Sequence, residues 1–308
     1  MNIIFMGNPD FACPSLVALN NSKHDIVGVI SNPPKRMKRS KDISFTPIGN
    51  LAKRLNLNLF TPDNLSSPNT IDWIKGLKPD ILVVVAFKIL PKSITSIPRL
   101  SAVNLHASLL PKYRGAAPIQ HAIMNGDLFT GNTTFLIEPK VDKGNIILQQ
   151  RIDIKKNDNF ITLSKRMSEL GAGLLIESLN VIKNPTFNPI AQDNARATFA
   201  PKISKSFGKI DWRDSSQLIH SKIKAISFSP GTFTTLKRKR LKIFESKLTL
   251  DKSPGSPGEI ICKNNKVVVS CSDLYLELIE VQFEGKKRMS ALDWFRGRNE
   301  EAGFNFDK

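Results

Sequence analysis

The sequence predicts an α/β fold with a mainly parallel sheet, followed by a smaller β-barrel domain. In the first half, short apolar segments alternate with segments of helical periodicity, which is typical of βαβ units whose parallel sheet is covered on both faces. In the last third, β-rich segments are separated by turn residues, which is typical of a small barrel. With 308 residues, 41% of them hydrophobic and 23% charged, the chain has the composition of a globular protein with room for two domains.

The predicted strands of the first half are short apolar runs, at 3–6, 26–30, 81–86 and 102–105. Helical patterns lie between them, at 11–20, 47–55 and 71–77. Further strands are expected at 133–137 and 145–148, and a long helix over 160–180 closes the first domain. In a parallel sheet of this kind, reacting groups lie at the carboxyl ends of the strands.

The chain changes character after this helix. Residues 184–201 are rich in Pro, Asn and Thr and lack periodicity, as expected of a linker. A helix is expected over 215–227, and strands are expected at 232–236, 241–245, 259–262, 267–270 and 274–283. We therefore predict a first domain over 1–188, a linker over 189–203 and a second domain over 204–308 with an OB-like barrel.

Targeting signals and metal sites are not indicated. The apolar run at the first residues is too short for a signal peptide, and no uncharged apolar segment of membrane-spanning length follows it, so we expect a cytoplasmic protein that does not bind membranes. Cys13, Cys262 and Cys271 are not spaced like a zinc site or a disulfide framework. We expect reduced thiols and no metal.

The formal charge of +18 favours a polyanionic partner, and nucleic acids are the commonest such partners. Residues 1–188 carry 23 Lys and Arg against 13 Asp and Glu, and residues 201–308 carry 21 against 13. Both parts are therefore basic, and a bound nucleic acid is expected to contact both. A lysine-rich proteome would give the same charge without any such partner.

Two side chains at the end of the strand predicted over 102–105 have the chemistry of proton transfer. Asn104 and His106 are two residues apart, so they project from the same face of a strand. An amide can stabilise a developing oxyanion while a neighbouring imidazole moves a proton. The alternative is a strand-end histidine with a purely structural hydrogen bond. Asp142, in the loop between the strands predicted at 133–137 and 145–148, is a candidate to orient His106 or to hold a water for proton transfer, and its alternative is an ordinary turn aspartate.

The loop after the first strand, Gly7-Asn-Pro-Asp-Phe11, lacks both the G-x-G-x-x-G pattern and the P-loop pattern. A dinucleotide or ATP site is therefore not predicted there.

Taken together, these motifs resemble those of the methionyl-tRNA formyltransferases, within the folate-dependent formyltransferase superfamily. The resemblance rests on the opening residues 1–19, on Asn104-x-His106 followed by SLLP at 108–111 and YRGAAPI at 113–119, and on Asp142-x-Gly144. In the second half it rests on APKI at 200–203, GKIDW at 208–212, PGSPGEI at 254–260 and GKKRMS at 285–290. The resemblance runs nearly from end to end, and it implies a Rossmann-like formyltransferase domain and an OB-like barrel.

The activity that the resemblance implies is formyl transfer from 10-formyltetrahydrofolate to the α-amino group of initiator methionyl-tRNA. The amine attacks the formyl carbon, and the tetrahedral intermediate collapses to N-formylmethionyl-tRNA and tetrahydrofolate. The resemblance implies that Asn104 and His106 stabilise the developing oxyanion, and that His106 and Asp142 transfer the protons. It implies folate as co-substrate, no metal, and a chain that we expect to act as a monomer.

The implied folate pocket lies near the sheet edge. Its expected residues are Val85, Phe87, Ser108, Leu109, Leu110 and Pro111. At 86–91 the chain reads AFKILP where the family usually has one residue more, so we expect a reshaped pocket wall.

The implied tRNA contacts are cationic. In the family, the position of residues 32–41 is a loop that enters the tRNA acceptor stem, and here that loop carries Arg36, Lys38, Arg39 and Lys41 but none of the usual glycines. In the second domain, the expected phosphate-binding residues are Lys237, Arg238, Lys286 and Lys287. Without a tRNA these would be solvent-facing hairpin ends.

Three other functions would account for part of these features. A sugar-nucleotide N-formyltransferase shares the Asn, His and Asp chemistry, but its acceptor needs no extended cationic surface. The glycinamide ribonucleotide formyltransferases resemble only the first domain. A non-catalytic RNA-binding protein explains the charge but leaves Asn104, His106 and Asp142 without a role.

Overall fold

The computed structural model describes residues 1–36, 43–253, 255–298 and 304–307. The chain divides into two compact units. Unit 1 consists of Met1–Pro118, Phe129–Ile154 and Ile161–Pro201, and unit 2 consists of Ile119–Leu128, Lys155–Phe160 and Lys202–Lys308.

The strands of the first 182 residues are β1 (Asn2–Gly7), β2 (Asp25–Ile30), β3 (Lys35–Arg36), β4 (Ile43–Ser44), β5 (Leu59–Phe60), β6 (Ile81–Val85), β7 (Ser101–His106), β8 (Phe129–Leu136) and β9 (Ile146–Asp153). The helices of the same residues are α1 (Cys13–Asn20), α2 (Pro47–Arg54), α3 (Pro68–Gly76), α4 (Lys92–Thr95), α5 (Pro118–Met124) and α6 (Phe160–Ile182). Short 3₁₀ helices lie at Asp10–Ala12, Asn194–Arg196 and Ser206–Gly208.

The sheet of unit 1 has seven strands in the order β5-β2-β1-β6-β7-β8-β9. The strands from β5 to β7 pair in parallel, and β8 pairs antiparallel with both β7 and β9. The predicted α/β class with a mainly parallel sheet is therefore confirmed. β6 is buried at every position, which is why its sequence is continuously apolar rather than alternating.

Helices cover both faces of this sheet. On one face, Phe5, Val83 and Leu105 pack with Leu16 of α1 and Leu175 of α6. The opposite face packs against α3 and α4 through a second cluster, whose buried members include Ile4, Leu82, Val84, Ile74 and Ile94. Because side chains alternate along each strand, Asn104 and His106 of β7 lie on the face opposite Val103 and Leu105.

The observed elements differ from the predicted ones mainly at their ends. β6 ends one residue early because Ala86 adopts a left-handed backbone conformation, with a φ of 48°. α3 begins at Pro68 because the hydroxyl of Ser67 accepts the N–H of Thr70 and caps the helix. β8 begins four residues before the predicted strand, at Phe129.

Unit 2 contains the barrel. Its elements after residue 202 are α7 (Ser216–Ile226), β10 (Thr232–Leu236), β11 (Lys239–Lys252), β12 (Glu259–Lys263), β13 (Lys266–Ser270), β14 (Leu274–Phe283), β15 (Met289–Ser290), α8 (Ala291–Arg296) and β16 (Phe304–Asn305). The sheet is antiparallel in the order β10-β11-β14-β13-β12-β16, with β15 paired to β14.

The two ends of this sheet approach each other. Two residues after β16, the backbone N–H of Asp307 donates to the carbonyl oxygen of Thr235 in β10 at 2.8 Å. This hydrogen bond links the segment that follows the last strand of the order to the first strand, so the sheet curls into the OB-like barrel that the sequence predicts.

Aromatic rings fill the barrel where it closes. The ring of Phe306, which is 5% exposed, stacks on Trp212 with centroids 5.5 Å apart. The Trp212 indole N–H donates to the hydroxyl of Thr234 at 3.0 Å, so the buried polar atom is satisfied.

We predict that Phe306→Ala destabilises unit 2 by about 3 to 5 kcal/mol, because it removes a buried ring and leaves a cavity beside Trp212. The free energy of unfolding is measured by urea denaturation followed by tryptophan fluorescence. Leu250→Ala is the control, because Leu250 is 94% exposed and its truncation is expected to change stability by less than about 0.5 kcal/mol. Equal stability of the two variants would contradict a core role for Phe306.

Candidate active site

Asn104 lies near the carboxyl end of β7, between β6 and β8. Its pairing partners are Val84 in β6 and Phe135 in β8. The residue is half-buried, and none of the hydrogen bonds among the described residues uses its side-chain amide. A partly buried amide that is not paired within the protein is free to bind a ligand.

His106, at the last position of β7, has a fixed ring orientation. Its Nε2 lies 2.9 Å from the carbonyl oxygen of Tyr113, and its ring meets that of Phe135 edge-on at 6.5 Å between centroids. A carbonyl oxygen only accepts hydrogen bonds, so Nε2 carries a proton and donates it. In the neutral ring, Nδ1 is therefore the nitrogen that is able to take up a proton.

Asp142 lies beside this nitrogen. Its Oδ2 is 3.9 Å from Nδ1 of His106 and accepts the backbone N–H of Gly115 at 2.8 Å. Both side chains of the pair are well shielded, with 8% of His106 and 11% of Asp142 exposed. The structure places the two side chains side by side, and the Gly115 bond fixes the carboxylate; that they act together stays a prediction.

The backbone of the Asp142 loop is strained and closely packed. Asp142 has a φ of 52°, a left-handed conformation that costs a non-glycine residue about 1 to 2 kcal/mol. A Cβ at Gly144 would lie 1.6 Å from the carbonyl oxygen of Leu136, so only glycine fits two residues further on. These contacts explain the spacing of the Asp142-x-Gly144 motif.

The loop at residues 108–111 is held to β8 and β9 by hydrogen bonds. The hydroxyl of Thr133 donates to the carbonyl oxygen of Ser108 at 2.6 Å and accepts the N–H of Leu110 at 3.1 Å. The side-chain amide of Gln149 donates to the carbonyl oxygen of Leu110 at 2.8 Å. The loop is therefore ordered by its neighbours in the sheet.

The expected folate-binding residues differ in what they expose. Ser108 and Leu110 are buried, and Leu109, Pro111 and Phe87 are half-buried. Val85 is fully buried in the core cluster with Phe5, on the face opposite Asn104. Its side chain is therefore inaccessible to a ligand at Asn104, and only its backbone is available for such a contact.

Two residues without a predicted role belong to the same network. The guanidinium of Arg114 is buried and donates twice to Oε1 of Gln192, from Nε at 3.1 Å and from Nη2 at 2.7 Å. Burial lowers the pKa of Arg114, and the nearby charge of Asp142 opposes that shift. Arg114 lies within the YRGAAPI motif, but Gln192 lies in the segment predicted as a linker and carries no sequence signal.

The basic segments of the second half meet at one end of the barrel. Lys237 and Arg238, with φ angles of 50° and 63°, form the turn between β10 and β11. Lys286 and Lys287 lie in the turn between β14 and β15. The two turns are neighbours, because the N–H of Glu284 donates to the carbonyl oxygen of Arg240 at 2.9 Å.

The C-terminal segment braces one of these turns. The carboxylate of Asp307 accepts the backbone N–H groups of Lys237 at 2.9 Å and of Arg238 at 2.7 Å. The left-handed turn is thereby stabilised, and the exposed side chains of Lys237 and Arg238 extend from a fixed backbone.

The other expected cations fall largely outside the described structure. Arg36 is in β3, which pairs with β4. Lys38, Arg39 and Lys41 lie outside the described residues.

The described ranges hold neither a metal-binding group of side chains nor a helix suited to crossing a membrane. They contain no group of three or more His, Cys, Asp or Glu side chains placed to hold a metal ion. In the same ranges, no helix combines the length and the apolar character needed to cross a membrane.

Comparison with known protein families matches both halves of the chain. Residues 1–179 match the model of the formyl transferase family, and residues 202–299 match the model of the formyl transferase C-terminal domain. The two models together cover most of the sequence.

Curated relatives and solved structures extend the match. A methionyl-tRNA formyltransferase of Caldicellulosiruptor saccharolyticus is 41% identical over 96% of this chain and 97% of its own length. One of Chlorobium phaeovibrioides is 37% identical over 99% and 98%. The structure of the methionyl-tRNA formyltransferase from Clostridium thermocellum has a TM-score of 0.61 and 17% identity, over 92% of this chain and 98% of that one.

An N-formyltransferase from Helicobacter canadensis, solved with folinic acid and dTDP-3-aminofucose, has a TM-score of 0.64 and 21% identity, over 92% of this chain and 99% of that one. At this identity, likeness to solved structures shows the fold alone, so the assignment rests on the sequence relatives and the family models. On these grounds the chain belongs to the methionyl-tRNA formyltransferase family.

Proposed function

We propose that the chain transfers the formyl group of 10-formyltetrahydrofolate to the α-amino group of initiator methionyl-tRNA. The observation that carries the proposal is the arrangement at the end of β7. There the Asn104 amide, which has no partner among the described residues, lies two residues from His106, whose Nδ1 faces Asp142. The names and the full-length similarity of the relatives support methionyl-tRNA as the acceptor. On this proposal the chain acts in the cytoplasm, where aminoacylated tRNA is used.

The donor set fits 10-formyltetrahydrofolate. A formyl oxygen needs a hydrogen-bond donor, and the Asn104 amide has no partner among the described residues. A flat pterin needs apolar contacts and backbone groups, which we assign to Phe87, Leu109 and Pro111 and to the backbone of Val85. When bound, the folate supplies an activated formyl group, so the residues of the chain have only to orient it and to move protons.

Asn104 stabilises negative charge in this mechanism. As the amine attacks, charge develops on the formyl oxygen, and an amide donor held by a strand stabilises it without reorganisation. His106 shares this task when it is protonated at Nδ1.

His106 and Asp142 manage the protons. The attacking amine becomes positively charged and must lose a proton, and Nδ1 of His106 is the unprotonated nitrogen of the neutral ring. The Asp142 carboxylate, 3.9 Å away, stabilises the imidazolium that results. The same proton then passes to the leaving nitrogen, which restores the neutral ring.

The first test asks which acceptor receives the formyl group. We expect formyl transfer from 10-formyltetrahydrofolate to methionyl-tRNA and none to an amino-sugar nucleotide, measured by acid-urea gel and by mass spectrometry. Transfer to the amino-sugar nucleotide alone would replace the proposed acceptor. Binding of tRNA without transfer to either acceptor would show a non-catalytic RNA-binding protein.

The amide is the second test. We predict that Asn104→Ala lowers kcat for formyl transfer at least about a hundredfold, because it removes an oxyanion donor. Turnover is measured at saturating folate and methionyl-tRNA, and circular dichroism checks the fold. Asn20→Ala, at the exposed end of α1, is the matched control and should retain full turnover. Near-normal turnover in Asn104→Ala contradicts the assigned role.

We assign tRNA phosphate binding to the two turns of the barrel, through Lys237, Arg238, Lys286 and Lys287. Arg36, Lys38, Arg39 and Lys41 are assigned to the acceptor stem by family resemblance. Support for the barrel assignment comes from the proximity of the two turns and from the exposure of their side chains. Exposed cations that bind phosphates release counterions, which makes binding depend on salt.

Salt dependence tests this surface. We predict that the double variant Lys286→Ala with Lys287→Ala weakens tRNA binding and reduces the slope of log K against log salt concentration by about 1 per lysine. Binding is measured by filter retention at several salt concentrations. The control is the double variant Lys23→Ala with Lys75→Ala. Both lysines are exposed, and each precedes the amino end of a strand, whereas the proposed site lies at a carboxyl end. An equal change of slope in the two double variants would mean that only the net charge matters.

A further inference from the structure

The Asp142 loop is held from behind by a residue outside the three proposed catalytic groups. Nε2 of Gln192 donates to the carbonyl oxygen of Asp142 at 3.0 Å and to that of Gly144 at 2.7 Å. Both amide hydrogens of Gln192 are thereby used on one loop. These bonds fix the backbone on either side of Lys143, while the bond from Gly115 fixes the Asp142 carboxylate.

Arg114 determines which way the Gln192 amide points. A guanidinium has donors only, so the two bonds from Arg114 require the amide oxygen to face it. The NH₂ group is then directed at the Asp142 loop. Both side chains are buried, with 3% of Arg114 and 9% of Gln192 exposed, so water does not compete for these bonds.

The segment that carries Gln192 also braces the loop that carries Arg114. The N–H of Tyr113 donates to the hydroxyl of Thr198 at 2.9 Å, and backbone bonds join Arg114 to Thr198 and to Ala200. Tyr113 in turn supplies the carbonyl oxygen that orients His106. The irregular segment at 190–200 thus contacts both the loop that orients His106 and the loop that carries Asp142.

We propose that Gln192 is a positioning residue for formyl transfer, which keeps the Asp142 carboxylate beside Nδ1 of His106 by fixing the backbone carbonyls of Asp142 and Gly144. The inference rests on the proposed function. Asp142 needs such support because its left-handed backbone is unfavourable for a non-glycine residue. Without the two bonds the loop relaxes, and the carboxylate leaves the position that stabilises the imidazolium.

The test is Gln192→Glu. The carboxylate retains the volume and the acceptor for Arg114, but when ionised it donates to neither carbonyl. We expect kcat to fall at least about tenfold, since displacements near 1 Å at a reacting centre have effects up to about a hundredfold. KM for the folate and for methionyl-tRNA should stay within about twofold, because Gln192 contacts neither substrate in this proposal. Gln217→Glu, the same change of charge at an exposed position of α7, should leave kcat unchanged.

A double-mutant cycle separates positioning from general destabilisation. If Gln192 acts through Asp142, then Gln192→Glu adds less than about twofold to the loss already caused by Asp142→Ala. A structural role unconnected with Asp142 gives losses that multiply. Rates are measured in single turnovers and normalised to the folded fraction from near-ultraviolet circular dichroism.

A second variant serves if Gln192→Glu does not fold. Arg114→Met together with Gln192→Met replaces the buried polar pair by apolar side chains of similar volume, a change that is often neutral for stability. It should show the same loss of kcat. Normal kcat in either folded variant, or multiplicative losses in the cycle, would overturn the inference. Failure of the wild-type chain to formylate methionyl-tRNA would instead overturn the proposed function.

Discussion

The hydrogen bond from the backbone N–H of Gly115 to the Asp142 carboxylate joins the two loops that carry the proposed site. In each of the two loops, the backbone lies close to another segment of the chain. Gly115 has a φ of 124°, and a Cβ there would lie 2.6 Å from the carbonyl oxygen of Ala200. At Gly144 the carbonyl oxygen of Leu136 is closer still. Close backbone packing thus requires glycine at both positions, and this packing determines the position of the Asp142 carboxylate relative to His106.

The proposed reacting groups and the basic turns lie in different electrostatic environments. His106 and Asp142 are largely shielded from solvent, so their interaction is screened little by salt. Lys286 and Lys287 are exposed, so the phosphate contacts proposed for them weaken as salt rises. If the proposed roles hold, ionic strength separates formyl transfer from tRNA affinity, because salt weakens the phosphate contacts much more than the His106–Asp142 interaction.

Strand periodicity predicted the side-chain direction of Asn104 and His106, because apolar Val103 and Leu105 alternate with them. It failed for the first half of β8, since Thr130 and Asn132 are buried there and the pattern is polar. The nitrogen of Asn132 donates to the carbonyl oxygen of Met167 in α6, which compensates the burial of that atom. A tertiary bond of this kind leaves no trace in local periodicity.

The segment at residues 190–200 shows the same limitation more strongly. Its Pro, Asn and Thr content predicts a linker, because such residues favour turns over regular structure. Yet irregular backbone that packs against a domain must satisfy its polar groups, and here they pair with the loops at 113–117 and 142–146. Irregular structure is therefore compatible with a fixed position when hydrogen bonds specify it. Gln192 binds the Asp142 loop through its side chain, and a single side-chain contact leaves no repeating pattern in the sequence. Only the three-dimensional arrangement therefore shows that this segment contacts the residues that hold His106 and Asp142.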